Sequence, residues 1–200
     1  NEIFETVRAV KDAVDLPVHF HAHCTGGMAD ICYWEAIRAG ADVVDCDVSA
    51  LALGTAHPPV ESLLTALKGT AYDPKLDMGL LGEINDYFLE LRGKYQEFPS
   101  QFTGVDIGVL NHQIPGGMMS NLESQLKGMN AYGRIGEIFE EVHRVQKDLG
   151  YPPLATPFAQ MVGSQATFNV ILGERYKTIP REVQDYIKGM YGRPPGERSE

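Results

Sequence analysis

One stretch restricts this chain more than any other: Pro17, Val18, His19, Phe20, His21, Ala22 and His23, followed by Cys24, Thr25, Gly26, Gly27 and Met28. Histidines at three alternate positions, spaced by Val18, Phe20 and Ala22, fit a β-strand over residues 18–23 that sends the imidazoles to one face. Two imidazoles side by side on a strand supply half of a coordination sphere, and imidazole nitrogen suits zinc, cobalt, nickel or iron. A polar, solvated strand face satisfies the same pattern. The apolar flanks and the Gly26-Gly27 turn that opens a helix place the histidines at a βα boundary, where barrels and doubly wound sheets carry their sites.

The residues that follow continue the same alternation. The pattern predicts a helix over 29–39 closed by Gly40, and a second strand over 41–48, which together make a βαβ unit with a parallel sheet. In that second strand Val44, Cys46 and Val48 share one face while Asp45 and Asp47 share the other. A sheet covered by helices on both sides is normally apolar on both faces, so two aspartates point to a polar cavity. They suit carboxylates that orient metal-bound imidazoles, and equally carboxylates that cap loops or pair with bases. His57, in the loop before Pro58-Pro59, reads as a solvated loop histidine.

Helices are further expected from Pro58 through 67, over 80–95, and after Pro115-Gly116-Gly117 through 126, with a short strand over 104–110 between the last two. The Pro-Gly-Gly segment lets backbone amides approach a ligand, and Ser120 or Asn121 could cap the helix there, offering a seat for a carboxylate. It is also an ordinary loop-to-helix turn. Beyond residue 128 the pattern is helical: 135–149, 157–172 behind Thr156 as cap, and 180–191. Gln160, Ser164, Gln165 and Asn169 form a polar stripe, and 192–200 reads as the start of a Pro-rich linker.

Composition narrows the classes of function. With 44% apolar residues the chain can bury a core, and 27 acidic against 17 basic residues give a net charge of −10. That balance disfavours nucleic acid and anionic membranes as partners. No run is long enough for membrane insertion and no leader opens the chain. Three cysteines without a CxxC or an even framework suit free thiols in a reducing cytoplasm.

Taken together, the stretches 19–29, 39–45, 112–126, 156–169 and 191–195 resemble the carboxyltransferase domain of biotin-dependent enzymes: pyruvate carboxylase, whether as one long chain or as a separate carboxyltransferase subunit, the α subunit of oxaloacetate decarboxylase, and the pyruvate-handling subunit of transcarboxylase. The resemblance covers essentially the whole chain. It implies an α/β fold, the C-terminal part of a TIM (β/α)8 barrel followed by an all-helical funnel domain. Residues 1–127 would be the closing strands and helices of the barrel, 128–191 the funnel, and 192–200 the linker, with the earlier barrel strands upstream of Asn1, where the chain begins on an amphipathic helix.

By the same resemblance His21 and His23 bind a divalent metal (zinc, cobalt or manganese), and His19 is structural. An aspartate and a carbamylated lysine upstream would complete the site. Ser120 stands where many relatives have threonine, the hydroxyl that passes a proton between biotin and the pyruvate methyl group. Cys24 stands where pyruvate carboxylases commonly have aspartate, which leans toward the decarboxylase and transcarboxylase branch. The expected function is carboxyl transfer between carboxybiotin and pyruvate or oxaloacetate, with biotin on a separate carrier domain or subunit and the protein a cytoplasmic homo-oligomer. The alternatives are a metal-dependent aldolase or Claisen-type enzyme, which shares the His-x-His strand, and a non-catalytic docking scaffold.

Overall fold

Gly40 shows how the local sequence sets the first helix pair. It closes helix α2 (Ala29–Ala39) in the left-handed region, at φ 101°, and its N–H reaches back to the carbonyls of Ala36 and Ile37. Glycine carries no Cβ to oppose that conformation. The computed structural model describes residues 2–95, 104–109, 114–129 and 131–199, without the side chains of Gly116 and Ser120. It divides into two compact units, residues 1–107 and 108–200.

In the first unit helix α1 (Glu2–Ala13) precedes strand β1 (His19–Phe20), and strand β2 (Val43–Val44) follows α2. β1 and β2 pair in parallel, His19 opposite Val43 and Phe20 opposite Val44. This is the expected βαβ unit, with shorter ladders than the alternation suggests. Past Phe20 the chain continues without regular pairing. An isolated bridge between Asp47 and Pro59 extends the arrangement beyond β2.

Two apolar clusters fix these elements. Val7, Ala36 and Ala39 are buried with Ile3, Phe4, Val18 and Phe20 against them, which locks α1 onto α2 and the start of β1. Cys24, Ala29 and Tyr33 form the second, with Phe20, Ala22, Val44, Cys46 and Leu63. Tyr33 is fully buried. Its hydroxyl donates to the Ala22 carbonyl at 3.1 Å and accepts from the Ala22 N–H at 3.3 Å, so one phenol replaces the missing ladder partners of the chain after β1.

Helix α3 (Val60–Leu67) starts behind Pro59. Helix α4 (Met78–Lys94) starts two residues earlier than expected because the Asp77 carboxylate accepts from the N–H groups of Gly79 and Leu80. None of the residues of α4 is buried, and its apolar Leu80, Tyr87 and Leu89 are exposed. The strand expected over 104–110 is not formed: among its described residues, 104–108 are bends, turns and irregular chain. The Asp106 N–H donates to the Thr25 carbonyl there, at 2.8 Å. Gly27 has φ +72°, and a Cβ at this position would stand 2.9 Å from Cγ1 of Val105.

The second unit holds helix α5 (Gly116–Gly128), a 3-10 turn (Tyr132–Arg134), α6 (Ile135–Asp148), α7 (Phe158–Leu172) and α8 (Arg181–Ile187). α6 is amphipathic and buries Ile138, Glu141, Val142 and Val145. α7 is buried over much of its circumference, through Met161, Val162, Gln165, Ala166 and Asn169 among others. α8 adds Val183 and Tyr186.

A polar network runs through this unit. Glu141 accepts from Asn169 Nδ2 at 2.8 Å and from Arg175 Nε at 2.6 Å. Arg175 also reaches Asp148 at 2.7 Å, and the Tyr176 hydroxyl donates to the same carboxylate oxygen at 2.8 Å. Glu141 is buried, and the bonds from Asn169 and Arg175 to its carboxylate are what make that burial tolerable.

Candidate metal centre

The three imidazoles of His21, His23 and His57 meet in the first unit, their nearest ligand atoms within 4.8 Å of one another. His21 and His23 come from the chain just after β1. His57 comes from the loop that the Asp47–Pro59 bridge lays beside it. Rings of His21 and His23 meet edge to face at 5.1 Å between centroids. His23 stacks on His57 at 4.8 Å, and His21 meets His57 at 4.4 Å.

Each ring is fixed through Nδ1. His21 Nδ1 lies 2.7 Å from Asp45 Oδ2, His23 Nδ1 2.6 Å from the Thr55 carbonyl, and His57 Nδ1 2.9 Å from Asp47 Oδ2. Carboxylates and carbonyls only accept, so Nδ1 is the donor in all three and the lone pair of a neutral ring sits on Nε2. Asp47 further accepts from the His57 backbone N–H at 2.7 Å, which holds the loop as well as the ring. The donor set therefore fits a divalent ion: imidazoles with Nε2 as the ligand atom, each ring oriented by an oxygen acceptor at Nδ1.

The electrostatics agree with this arrangement. Burial lowers the pKa of His23, opposed by its hydrogen bond to Thr55 and reinforced by the neighbouring His57 and His21 rings. The hydrogen bond from His21 pulls Asp45 below the usual carboxylate range against a smaller desolvation, and His19 adds to the effect. His19 bonds the other oxygen of Asp45 at 2.7 Å and is about half exposed. Asp45 and Asp47 thus serve the imidazoles, one of the two roles open in the sequence. His57, expected in solvent, is instead part of the cluster. Its only signal in the sequence is the Asp47 alternation, which implies a partner without saying which.

Cys24 is buried beside this site. Burial, with Asp30 and Asp47 nearby, pushes its thiol up to about 11, so it stays protonated and unreactive.

Ser120 lies in α5, its side chain outside the described residues, and His112 and Gln113 lie outside them altogether. The capping role for Ser120 or Asn121 does not hold: α5 begins at Gly116 behind Pro115, so residue 120 is already inside the helix. Thr156 likewise makes no cap, since Pro157 precedes α7 without a side-chain bond. In the same unit a cavity of about 340 Å³ opens between α5 and α7, lined by Asn121, Gln125, Gln160 and Ser164 with Met118 and Phe158. Only half of the polar stripe faces it. Gln165 and Asn169 turn into the core, where Gln165 Nε2 donates to Asn169 Oδ1 at 2.8 Å. One residue along a helix is a rotation of about 100°, enough to separate Gln165 from Ser164.

Comparison with known proteins fits this geometry. Residues 109–200 match the conserved carboxylase domain family. A pyruvate carboxylase subunit of Methanocaldococcus jannaschii is 52% identical over 97% of this chain and 34% of its own length. The methylmalonyl-CoA carboxyltransferase 5S subunit of Propionibacterium freudenreichii is 43% identical over 98% of this chain and 39% of its own. This chain thus spans little more than a third of the length of these two relatives. The carboxyl transferase domain of Rhizobium etli pyruvate carboxylase, solved with pyruvate and biocytin, superposes with a TM-score of 0.86 at 30% identity, over 96% of this chain and 34% of that one. By sequence along nearly its whole length and by fold, the chain belongs to the family of pyruvate carboxylase carboxyltransferase domains.

Proposed function

We propose that the protein to which this chain belongs transfers a carboxyl group between carboxybiotin and pyruvate or oxaloacetate, at a divalent metal held by His21 and His23. The observation that carries this reading is the pair of imidazoles just after β1 with Nδ1 tied to Asp45 and to the Thr55 carbonyl, which makes Nε2 the ligand atom of each ring. The solved relative's pyruvate and biocytin support the substrate and the biotin. Family membership favours carboxyl transfer over the aldolase and scaffold alternatives. The finer fold belongs to the same proposal: residues 1–127 as the closing part of a TIM barrel, 128–191 as a helical funnel, 192–200 as a linker toward a biotin carrier, in a cytoplasmic homo-oligomer.

Bound there, a divalent ion supplies Lewis-acid stabilisation of the charge that develops on the keto oxygen of pyruvate. The rest falls to the chain itself. Asp45 and the Thr55 carbonyl keep His21 and His23 in one tautomer and orientation, so the site does not reorganise during the reaction. The Ser120 hydroxyl accepts a proton from the pyruvate methyl group and delivers it to the biotin nitrogen that has released CO2. The methyl carbon, having given up that proton, forms the new bond to CO2. Reversal of these steps decarboxylates oxaloacetate. Serine in place of threonine keeps the hydroxyl and loses a methyl group, so the relay remains with freer rotamers.

The test is metal content and carboxyl transfer in the full-length protein. His21→Ala and His23→Ala are each expected to lose most of the bound metal and the transfer with it. Normal metal content in both variants would end the assignment.

A further inference from the structure

We propose that Asn85 and Arg92 of helix α4 are positioning residues for the metal centre: through the Ala50 peptide they hold the loop that presents the Thr55 carbonyl to His23. The inference rests on the reading that His21 and His23 hold a divalent ion, and concerns what keeps the surroundings of His23 in place.

Three observations carry it. The first is the bonding of one peptide. Ala50 is only 3% exposed, so its N–H and carbonyl need partners within the protein. Both partners belong to α4. The Ala50 N–H donates to Asn85 Oδ1 at 2.7 Å, and Arg92 Nη1 donates to the Ala50 carbonyl at 2.6 Å. An arginine on an exposed helix is free to extend into water. This one turns instead onto a carbonyl 42 residues earlier in the chain, a charge-assisted bond of the stronger kind. No residue of α4 is buried, so these polar bonds carry much of its hold on the loop.

The second is what the loop does. Its Thr55 carbonyl meets His23 Nδ1 at 2.6 Å, and its Ala56 carbonyl accepts from the Cys24 N–H at 2.8 Å. The loop is therefore docked on the His23 segment at its far end and on α4 at its near end.

The third is strain between those two ends. Leu53 stands at φ 70° and Gly54 at φ 58°. The leucine Cβ opposes this left-handed conformation, which persists only where the surroundings over-determine it. Bonds across the turn, from the Leu53 N–H to the His57 carbonyl at 3.0 Å and from the Ala56 N–H to the Leu53 carbonyl at 2.9 Å, do part of that work. The Ala50 clamp does the rest. Releasing it lets Leu53 relax toward negative φ, and the Thr55 carbonyl moves with the turn. The His23 ring then loses the acceptor that orients it, and only molecules with the loop closed bind the ion at full strength.

The experiment uses the full-length protein with cobalt(II), whose visible absorption reports the geometry of its ligands. Hydrogen exchange with mass spectrometry comes first, on the wild type, with overlapping peptides that isolate the Ala50 amide. Coupling is reciprocal, so cobalt is expected to slow exchange at Ala50 at least about 5-fold. Equal exchange with and without cobalt overturns the proposal, whatever the variants do. Chelator competition and visible spectra then follow, with circular dichroism verifying that each variant is folded. Asn85→Ala is expected to bind cobalt roughly 3- to 10-fold more weakly and Arg92→Met roughly 10-fold or more, the latter having lost a bond from a charged donor. Both spectra should change. Asn85→Asp keeps the acceptor oxygen and should return affinity to within about twofold of the wild type. Lowered melting temperatures with unchanged spectra and affinity in folded Asn85→Ala and Arg92→Met would make the pair purely structural, which overturns the proposal and leaves the metal reading standing. Cobalt affinity that survives His21→Ala and His23→Ala removes the metal reading and this inference with it.

Discussion

The Tyr33 hydroxyl makes the connection between helix α2 and the candidate metal centre measurable. Ala22 sits between His21 and His23, and both its N–H and its carbonyl are bonded to that one phenol oxygen, at 3.3 and 3.1 Å. Burial pushes the Tyr33 pKa to about 12, with its bond to the Ala22 carbonyl working the other way, so the phenol stays protonated and keeps its donor. Tyr33→Phe removes both bonds and leaves the ring packing on Phe20, whose centroid lies 5.2 Å away edge to face. Two hydrogen bonds at about 0.5–1.5 kcal/mol each give a local loss of about 1–3 kcal/mol. Opening of this segment then becomes roughly 5- to 150-fold more frequent. Hydrogen exchange with mass spectrometry, read on the peptide spanning residues 17–24 of the full-length protein, reports that opening directly. Zinc affinity should fall in the same variant, since His21 and His23 lose the fixed backbone between them. Exchange unchanged within twofold, together with undiminished affinity, would refute the claim that Tyr33 stands in for the missing ladder.

Three further outcomes are expected. Ser120→Ala should slow carboxyl transfer by about 10² or more while metal content stays normal, the scale of a positioned proton relay, and Ser120→Thr should retain the rate; a full rate in the alanine variant would leave the relay without its hydroxyl. Asp148 is pushed up by burial, but the bonds from Tyr176 and Arg175 outweigh this and hold it below the carboxylate value of 3.8. It therefore stabilises the fold above about pH 4 and loses that contribution as pH falls through its lowered folded value, so an acid melting series should be flatter for Asp148→Asn, and an identical slope would contradict the network. Cys24 and Cys46, both raised to about 11 chiefly by burial, should alkylate at pH 8 roughly 10²-fold more slowly than a free cysteine, from the thiolate fraction alone; rates matching free cysteine would show that the first unit opens readily.

What the sequence reveals depends on how local the determining interaction is. The βαβ unit was legible because its cues act within a few residues: alternation at 18–23, the amphipathic run at 29–39 and the glycine that ends it at 40. Ladder length was not, because pairing depends on neighbours that alternation does not name. The 104–110 segment looks like a strand by composition, yet in the described residues it turns. At the site, the alternation of His19, His21 and His23 is visible from spacing, while the choice of His21 and His23 among them rests on the family resemblance; His57 is 34 residues from His23 and joins them through the Asp47–Pro59 bridge. The polar stripe on α7 failed for a geometric reason. Gln165 and Asn169 share a helical repeat with each other and face the core, while Gln160 and Ser164 face the cavity.

Gly27 carries an evolutionary implication beyond its geometry. Its backbone needs a positive φ, and the space a Cβ would take already belongs to Val105. Asparagine relieves the first constraint and worsens the second, while trimming Val105 relieves the second and leaves the first. Any single replacement at position 27 therefore passes through a poor intermediate, and a lineage has to change both positions together to leave glycine behind. The position is expected to drift slowly across descendants although the structure assigns it no chemistry, and a deep mutational scan should find it intolerant in the Val105 background and more permissive to asparagine once position 105 is alanine.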